Sequence, residues 1–352
     1  MMKKQLPILI AAVLAGGMSA AVADVTVFGH IDTSWDYRDA DGSGDGGSGG
    51  NTTNLNCTTC SFGLKGSEDL GNGLKALFKL DFQYDTTERN TGLTDRDQWL
   101  GLGGVFGQLR VGTISTVYKS HGAMLDPIYR TALQQRDRGL QSDLHRGAGE
   151  EGQGRATNTL RYDTPTWNGL GIGAHYTVQT ETDADSKSDS PWGIGGQWEG
   201  GSFLVFADYI TSDEGGDDSA WKVGGKYDLS IFSFFAQYEG DSGLISARGD
   251  NQTDGSGDGA DTWMLGATAT LGNSMAYFGF GRGEEGSGGS TASYYNAWQL
   301  VGSHNMSRRT MLYGGYSELR CDQQDNDACS GIGDNKGDSK DRKLSFGMKH
   351  TF

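Results

Sequence analysis

Long apolar runs and positive charge are both scarce in this chain. No segment after the first residues holds eighteen consecutive apolar residues, which excludes membrane-spanning helices, since about 20 are needed to cross the hydrocarbon. Only 35 % of the 352 residues are hydrophobic, few for the large dry core of a soluble domain of this length. Lys and Arg number 29 against 45 Asp and Glu, a formal net charge of −16. That argues against nucleic acid as a partner, which calls for a basic face. Cysteine is limited to Cys57, Cys60, Cys321 and Cys329, two pairs in polar stretches. In an exported chain these are disulfide candidates, with three connectivities open. Cys57-Thr58-Thr59-Cys60 has no second CxxC and no thioredoxin-like context, so zinc and redox readings give way to a loop disulfide.

What is present points to export. Lys3 and Lys4, the apolar run Leu6 to Val13 and the ending Ala21-Val22-Ala23 form a signal peptide over 1–23, with cleavage expected before Asp24. The mature chain, 24–352, is rich in glycine (58) and aromatics (14 Tyr, 14 Phe, 8 Trp). It is built of short alternating segments. In the first, Val25, Val27, Ile31, Trp35 and Tyr37 share one parity, and Thr26, His30, Asp32, Ser34, Asp36 and Arg38 the other. Side chains of a strand alternate between faces, so one face suits lipid and the other water. Strands are expected near 25–38, 60–68, 73–86, 94–104, 107–114, 156–165, 169–180, 191–199, 202–212, 219–229, 231–240, 261–271, 274–283, 293–304, 309–320 and 342–352. Tight turns such as Leu70-Gly71-Asn72-Gly73 and Trp167-Asn168-Gly169 alternate with long polar loops at 39–59, 115–155, 181–190, 241–260, 284–292 and 321–341. The fold class implied is all-β: a transmembrane antiparallel β-barrel of sixteen strands with a water-filled interior.

Several segments are also familiar. Ser61-Phe62-Gly63-Leu64-Lys65-Gly66-Ser67-Glu68-Asp69-Leu70-Gly71-Asn72-Gly73-Leu74-Lys75-Ala76 resembles the second and third strands of the Gram-negative general diffusion porins. Trp99 to Gly112 resembles their fourth and fifth, Asn158 to Pro165 their sixth and Arg309 to Tyr316 their fifteenth, and Phe352 resembles their terminal assembly signal. The resemblance implies an outer-membrane homotrimer in contact with lipid and lipopolysaccharide. It also implies passive diffusion of small hydrophilic solutes and ions, and a third outer loop, here 115–155, folded inward to narrow the channel. A substrate-selective porin, for oligosaccharides for example, is the alternative. An outer-membrane lipase ranks behind it: His304 and His350 face outward, but no serine partner is identifiable. No cofactor or metal is called for.

The expected narrowing sets Arg96, Arg110 and Arg161 on the wall against Asp126, Asp137 and Asp143 on the loop. Parity groups Arg96 with Gln98, Arg110 with Gln108, and Arg161 with Thr159 and Asp163, away from Trp99, Leu109 and Tyr162. Charge on the lipid face costs roughly 2–4 kcal/mol at mid-membrane, so these arginines belong to the lumen. The loop departs from a simple acidic pattern: Lys119, Arg130, Arg136, Arg138, Arg146 and Arg155 outnumber Asp126, Asp137, Asp143, Glu150 and Glu151. That puts a cation-selective neck in doubt. Two glycine-rich matches in the first loop, to a nucleophile elbow and a dinucleotide fingerprint, have no following helix. The Asp39–Asp45 run lacks the glutamate of a calcium loop, Gly50 standing in its place. Most tryptophans are expected in the interfacial girdles.

Overall fold

The computed structural model describes residues 24–40, 50–89, 91–145, 154–178, 191–211, 219–241, 260–287, 290–322 and 339–352. The signal segment, Cys329, Arg146, Glu150 and Glu151 lie outside them. All described strands belong to one sheet, and β1 (Asp24–Ala40) pairs with β17 (Ser339–Thr351), from His30 with Thr351 to Ala40 with Asp341. The sheet therefore closes on itself, which removes the open edges a membrane would not tolerate.

Seventeen segments make sixteen barrel strands because β2 (Gly50–Cys57) and β3 (Ser61–Gly71) lie end to end along β1. They are interrupted only at Thr58-Thr59-Cys60, where a Cys57–Cys60 disulfide closes the turn. The expected loop 39–59 therefore holds a strand at 50–57. Gly50-Asn51-Thr52-Thr53-Asn54 has no apolar alternation, and its ladder comes entirely from pairing with the outer half of β1. The next strands are β4 (Leu74–Gln83), β5 (Thr94–Gly104), β6 (Gly107–Ser115), β7 (Arg155–Asp163), β8 (Leu170–Thr177) and β9 (Trp192–Gly200). After these come β10 (Phe203–Thr211), β11 (Ser219–Leu229), β12 (Phe232–Asp241), β13 (Ala260–Leu271), β14 (Ser274–Ser287), β15 (Ser290–Asn305) and β16 (Thr310–Asp322). Extension of β14 and β15 turns most of the expected loop 284–292 into strand. The tight turns fall where expected, with Asn168 and Gly169 at φ 47° and 84°, the left-handed pair an Asn-Gly hairpin supplies.

The apolar core lies inside the barrel. Leu125, Ile128, Leu133 and Leu140 of the third loop pack against Leu204, Phe206, Phe235, Met264, Tyr277, Tyr295, Val301 and Leu319 of the wall. Complete burial is worth roughly 1.5–3 kcal/mol per large aliphatic side chain, as an upper bound, so these four help to hold the loop inward. The sequence does carry a sign of this. β10, Phe203-Leu204-Val205-Phe206-Ala207, is apolar on both parities, as strands covered on both faces are.

Candidate functional site

The third loop leaves β6 at Ser115 and turns at once into a short helix, α1 (Val117–Gly122). Thr116 Oγ1 caps it by accepting from Lys119 N at 3.3 Å. The helix lies close to the wall because Gly173 and Gly195 are beneath it; a Cβ on Gly195 would stand 2.8 Å from Val117.

From α1 onward the loop meets the wall of β9–β17 and β1 through a row of polar contacts. His121 Nδ1 is 2.6 Å from Asp208, with Lys222 Nζ 3.4 Å from the same carboxylate. Glu239 accepts from the Tyr118 hydroxyl at 2.9 Å and from the Ser142 hydroxyl at 2.5 Å, while His145 stands 3.7 Å from it. Lys349 donates to Tyr129 O at 2.6 Å, and Ala132 N to Tyr313, whose hydroxyl donates to Asp32 at 2.9 Å. Arg138 donates to Ser317 at 2.6 Å and to Asp341 at 3.1 Å. Asp341 also accepts two bonds from Arg38 of β1, at 2.9 and 3.0 Å. The middle of the loop is thus fastened across the seam where first and last strands meet.

The wall of β3–β7 carries the opposite balance. Arg96 is 3 % exposed and donates to Asp81 at 3.4 Å and Gln83 at 2.8 Å. Lys79 and Arg155 share Asp97, at 3.0 and 2.9 Å. Arg110 and Arg161, opposite each other in register, share Asp163. Arg161 also donates to Ser115 O at 2.5 Å and Ser120 Oγ at 3.0 Å, which fastens the root of the loop. Facing this wall from the loop, the guanidinium groups of Arg130 and Arg136 lie 5.6 and 5.1 Å from the Tyr129 ring centroid. Two loop groups register the crowding of positive charge. Burial, then Arg155 and Arg136, push the Lys119 ammonium well below its ordinary pKa. The Tyr129 phenol is lowered although burial opposes this, because Arg136 and Arg130 outweigh it.

The acids named from sequence sit differently. Asp126 is 7 % exposed and accepts from Ile128 N at 3.1 Å and Gln135 N at 2.9 Å, so its carboxylate organises the loop's own backbone. Burial pushes its pKa up to about 6. Asp137 accepts from Gln134. The side chain of Asp143 lies outside what is described.

Parity alone misplaces Trp99. A β-bulge between Leu80 and Phe82 sets Arg96 and Asp97 together opposite Asp81. Arg96 therefore reaches the lumen beside Asp97, whereas Gln98 faces outward and bonds Asp95 at 2.8 Å on the exposed surface. Trp99, opposite Lys79, turns to the lumen, with the Arg110 guanidinium 5.2 Å from its ring centroid. Trp35, Trp167, Trp192, Trp198 and Trp221 are exposed on the outside, as girdle residues are.

The Gram-negative porin family model matches residues 9–324. The chain belongs to that family. Among its relatives, the outer membrane porin protein 32 of Delftia acidovorans is 33 % identical over 190 residues, 53 % of each chain. The major outer membrane protein P.IB of Neisseria meningitidis serogroup B is 30 % identical over 207 residues, 58 % of this chain and 57 % of that one. The chain thus spans about half the length of the curated relatives it matches. The anion-selective porin from Comamonas acidovorans superposes with a TM-score of 0.74 at 21 % identity, over 94 % of this chain and all of that one. The trimer form of the Vibrio cholerae outer membrane protein OmpT gives 0.66 at 12 %. At such identities these likenesses speak for the fold.

Porin family members are channel proteins of the outer membrane, not enzymes, and the remaining candidates fit that setting. The serine missing from the lipase reading exists: Ser274 Oγ is 2.9 Å from His304 Nδ1, brought there by β14–β15 pairing. Among the described residues no carboxylate joins the pair, so nothing orients the imidazole as a general base requires. Phe352 closes the seam, exchanging backbone bonds with Gly29 at 3.0 and 3.1 Å.

Proposed function

We propose that this porin, exported by removal of residues 1–23 and assembled as a trimer, passes small hydrophilic solutes by passive diffusion and favours anions. One observation carries the selectivity: on the open wall Lys79, Arg96 and Arg155 gather around Asp81 and Asp97, and Arg130 and Arg136 of the loop, flanking Tyr129, bring further positive charge. With Arg110 and Arg161 sharing Asp163, seven cations stand against three carboxylates in this group of described residues, an excess that sets a positive local potential, and a pore lined by one sign of charge concentrates the opposite ion. The acidity of the whole protein does not contradict this, because the acids of the other wall lie under the loop. Support for the trimer comes from the OmpT trimer form, and for anion preference from the Comamonas porin.

Purified trimer in a planar bilayer should give ohmic conductance in steps of three, with a reversal potential favouring chloride in a tenfold KCl gradient. Changing Arg96 and Arg155 to Gln should move that potential toward potassium. The shift should be largest in dilute salt, since the Debye length falls from about 10 Å at 0.1 M to about 3 Å at 1 M. Potassium preference in the unaltered protein would overturn the reading. Submillimolar, sugar-specific blockade would favour the oligosaccharide alternative instead.

A further inference from the structure

Aromatic rings have no part in passing chloride, yet two stand among the cations of the open wall. Lys65, Lys79 and Trp99 form one row across β3, β4 and β5, each directly opposite the next in register. Neighbouring strands are about 4.8 Å apart, so the row spans about 10 Å. Phe28 of β1 sits beside it, with the ammonium groups of Lys65 and Lys79 each 5.5 Å from its ring centroid. Arg110 flanks Trp99 on the other side at 5.2 Å. Both rings are half-buried, so part of each faces lumenal water. Lys79 is paired with Asp97 and Asp81, and Arg110 with Asp163. Lys65 has no carboxylate partner among the described residues. The row shares Lys79 with the neck and lies nearer the tight turns than Arg96 does, so it forms the inner lip of the narrowing.

We propose that this row is a subsite for organic anions carrying a flat conjugated ring, with aromatic carboxylates as the class. The ring stacks on Trp99, and the carboxylate is taken by Lys79 and Lys65, one and two strands away. A small inorganic anion would need only the cations. The indole adds a flat apolar face that a planar ring covers and that water hydrates poorly. The guanidinium beside it draws on the same π system. Trp99 and Lys65 are then specificity-determining residues rather than parts of the neck. This rests on the anion-favouring reading above, and the experiment separates the two.

The test is current blockade of the assembled channel by benzoate and by cyclohexanecarboxylate, which share charge and nearly share size but differ in the ring's π system. Benzoate should block with an affinity roughly two- to tenfold higher, the range an aromatic pair contributes beyond its area. Trp99→Leu should abolish that ratio, and Lys65→Gln should weaken both acids alike. Because the readout is a ratio within each protein, a changed bore cancels. Equal blockade in the unaltered channel, or a preference undiminished in Trp99→Leu, overturns the subsite. Should Trp99→Leu fail to assemble, the two acids on the unaltered channel decide. A channel that prefers potassium but still distinguishes the acids would overturn the selectivity reading and leave the subsite standing.

Discussion

The two halves of the lumen wall differ in what becomes of their charge. Under the third loop, Asp32, Asp36, Asp208, Glu239 and Asp341 are nearly inaccessible, 0–5 % exposed. Each is met by a hydroxyl, lysine, histidine or arginine: Tyr313, Lys343, His121, Tyr118 and Arg138 in turn. On the open half, cations outnumber acids; Arg96 and Arg155 are about as buried as those carboxylates, at 3 % and 7 % exposure, while the Lys79 and Arg110 side chains reach water, at 20 % and 16 %. The loop therefore does more than narrow the bore. By covering the acidic half it leaves the solute a basic one, so an acidic chain can present a positive neck. Net charge read from composition sums both halves and reports neither.

The strongest way to break this contrast is to lift the loop. Arg138 is its contact with Asp341, both nearly inaccessible, at 6 % and 0 % side-chain exposure. Arg138→Ala removes the loop's bonds to that carboxylate while Arg38 keeps its own two, so the loss falls on the fastening of the loop and leaves the charge paired. The barrel should still close, since β1–β17 pairing is backbone. Single-channel recordings should show a larger, noisier conductance and weaker anion preference as wall acids meet water. Quiet recordings with unchanged selectivity would mean that the apolar contacts of Leu125, Ile128, Leu133 and Leu140 hold the loop unaided.

A smaller effect should come from within the loop. Asp126 has its pKa raised by burial to about 6 from 3.8. A group raised in the folded state gives stability that is complete below its unfolded pKa and is lost as pH rises through the folded one. Between about pH 4 and pH 6 the loop should lose on the order of 3 kcal/mol from this source. Asp126→Asn cannot titrate, so that part of the pH dependence should vanish. Absolute stability is the poorer gauge, because the amide keeps one acceptor where two backbone N–H groups, of Ile128 and Gln135, now donate. Thermal unfolding at pH 3.5 and 7.5 for both proteins checks this; parallel pH profiles would rule it out.

The open half was more legible in the sequence than the covered one, and the reason is physical. Lumenal arginines on β6 and β7 follow from parity, because lipid excludes charge and the ladder is regular around Arg110 and Arg161, its register shift falling beyond Gly112. Parity fails where a bulge intervenes: it put Arg96 in the lumen beside the wrong neighbour and sent Trp99 to the lipid. It also missed β2, whose polar residues are held by pairing with β1 and not by a membrane face. The covered half was hidden for another cause. Loops rich in glycine, aspartate and serine read as solvated, and nothing local in Leu133 or Leu140 says that they join one apolar cluster with Tyr277 and Leu319. Nor could a count of loop charges tell that Asp126 turns inward to its own backbone while Arg138 crosses the lumen to the seam.

The smallest effect should come from the place where the two halves meet, at the break between β2 and β3. There the turn is held by the Cys57–Cys60 disulfide and by three other contacts. Thr58 N donates to Asp32 O at 3.1 Å, Tyr84 N to Cys60 O at 3.1 Å, and Thr59 Oγ1 lies 3.3 Å from His30 Nε2. Thr59 takes a left-handed conformation, φ 51°, which the closed ring helps to hold. A ring this short restricts the unfolded chain little, so the cross-link should contribute about 2 kcal/mol at most. Cys57→Ser with Cys60→Ser should lower the thermal midpoint by a few degrees. It should leave chloride preference unchanged, because Arg130 keeps its own contact with His30 at 3.3 Å. A loss of assembled barrel, or of anion preference, would show instead that the covalent link positions His30, and through it the loop, at the boundary between the acidic and basic walls.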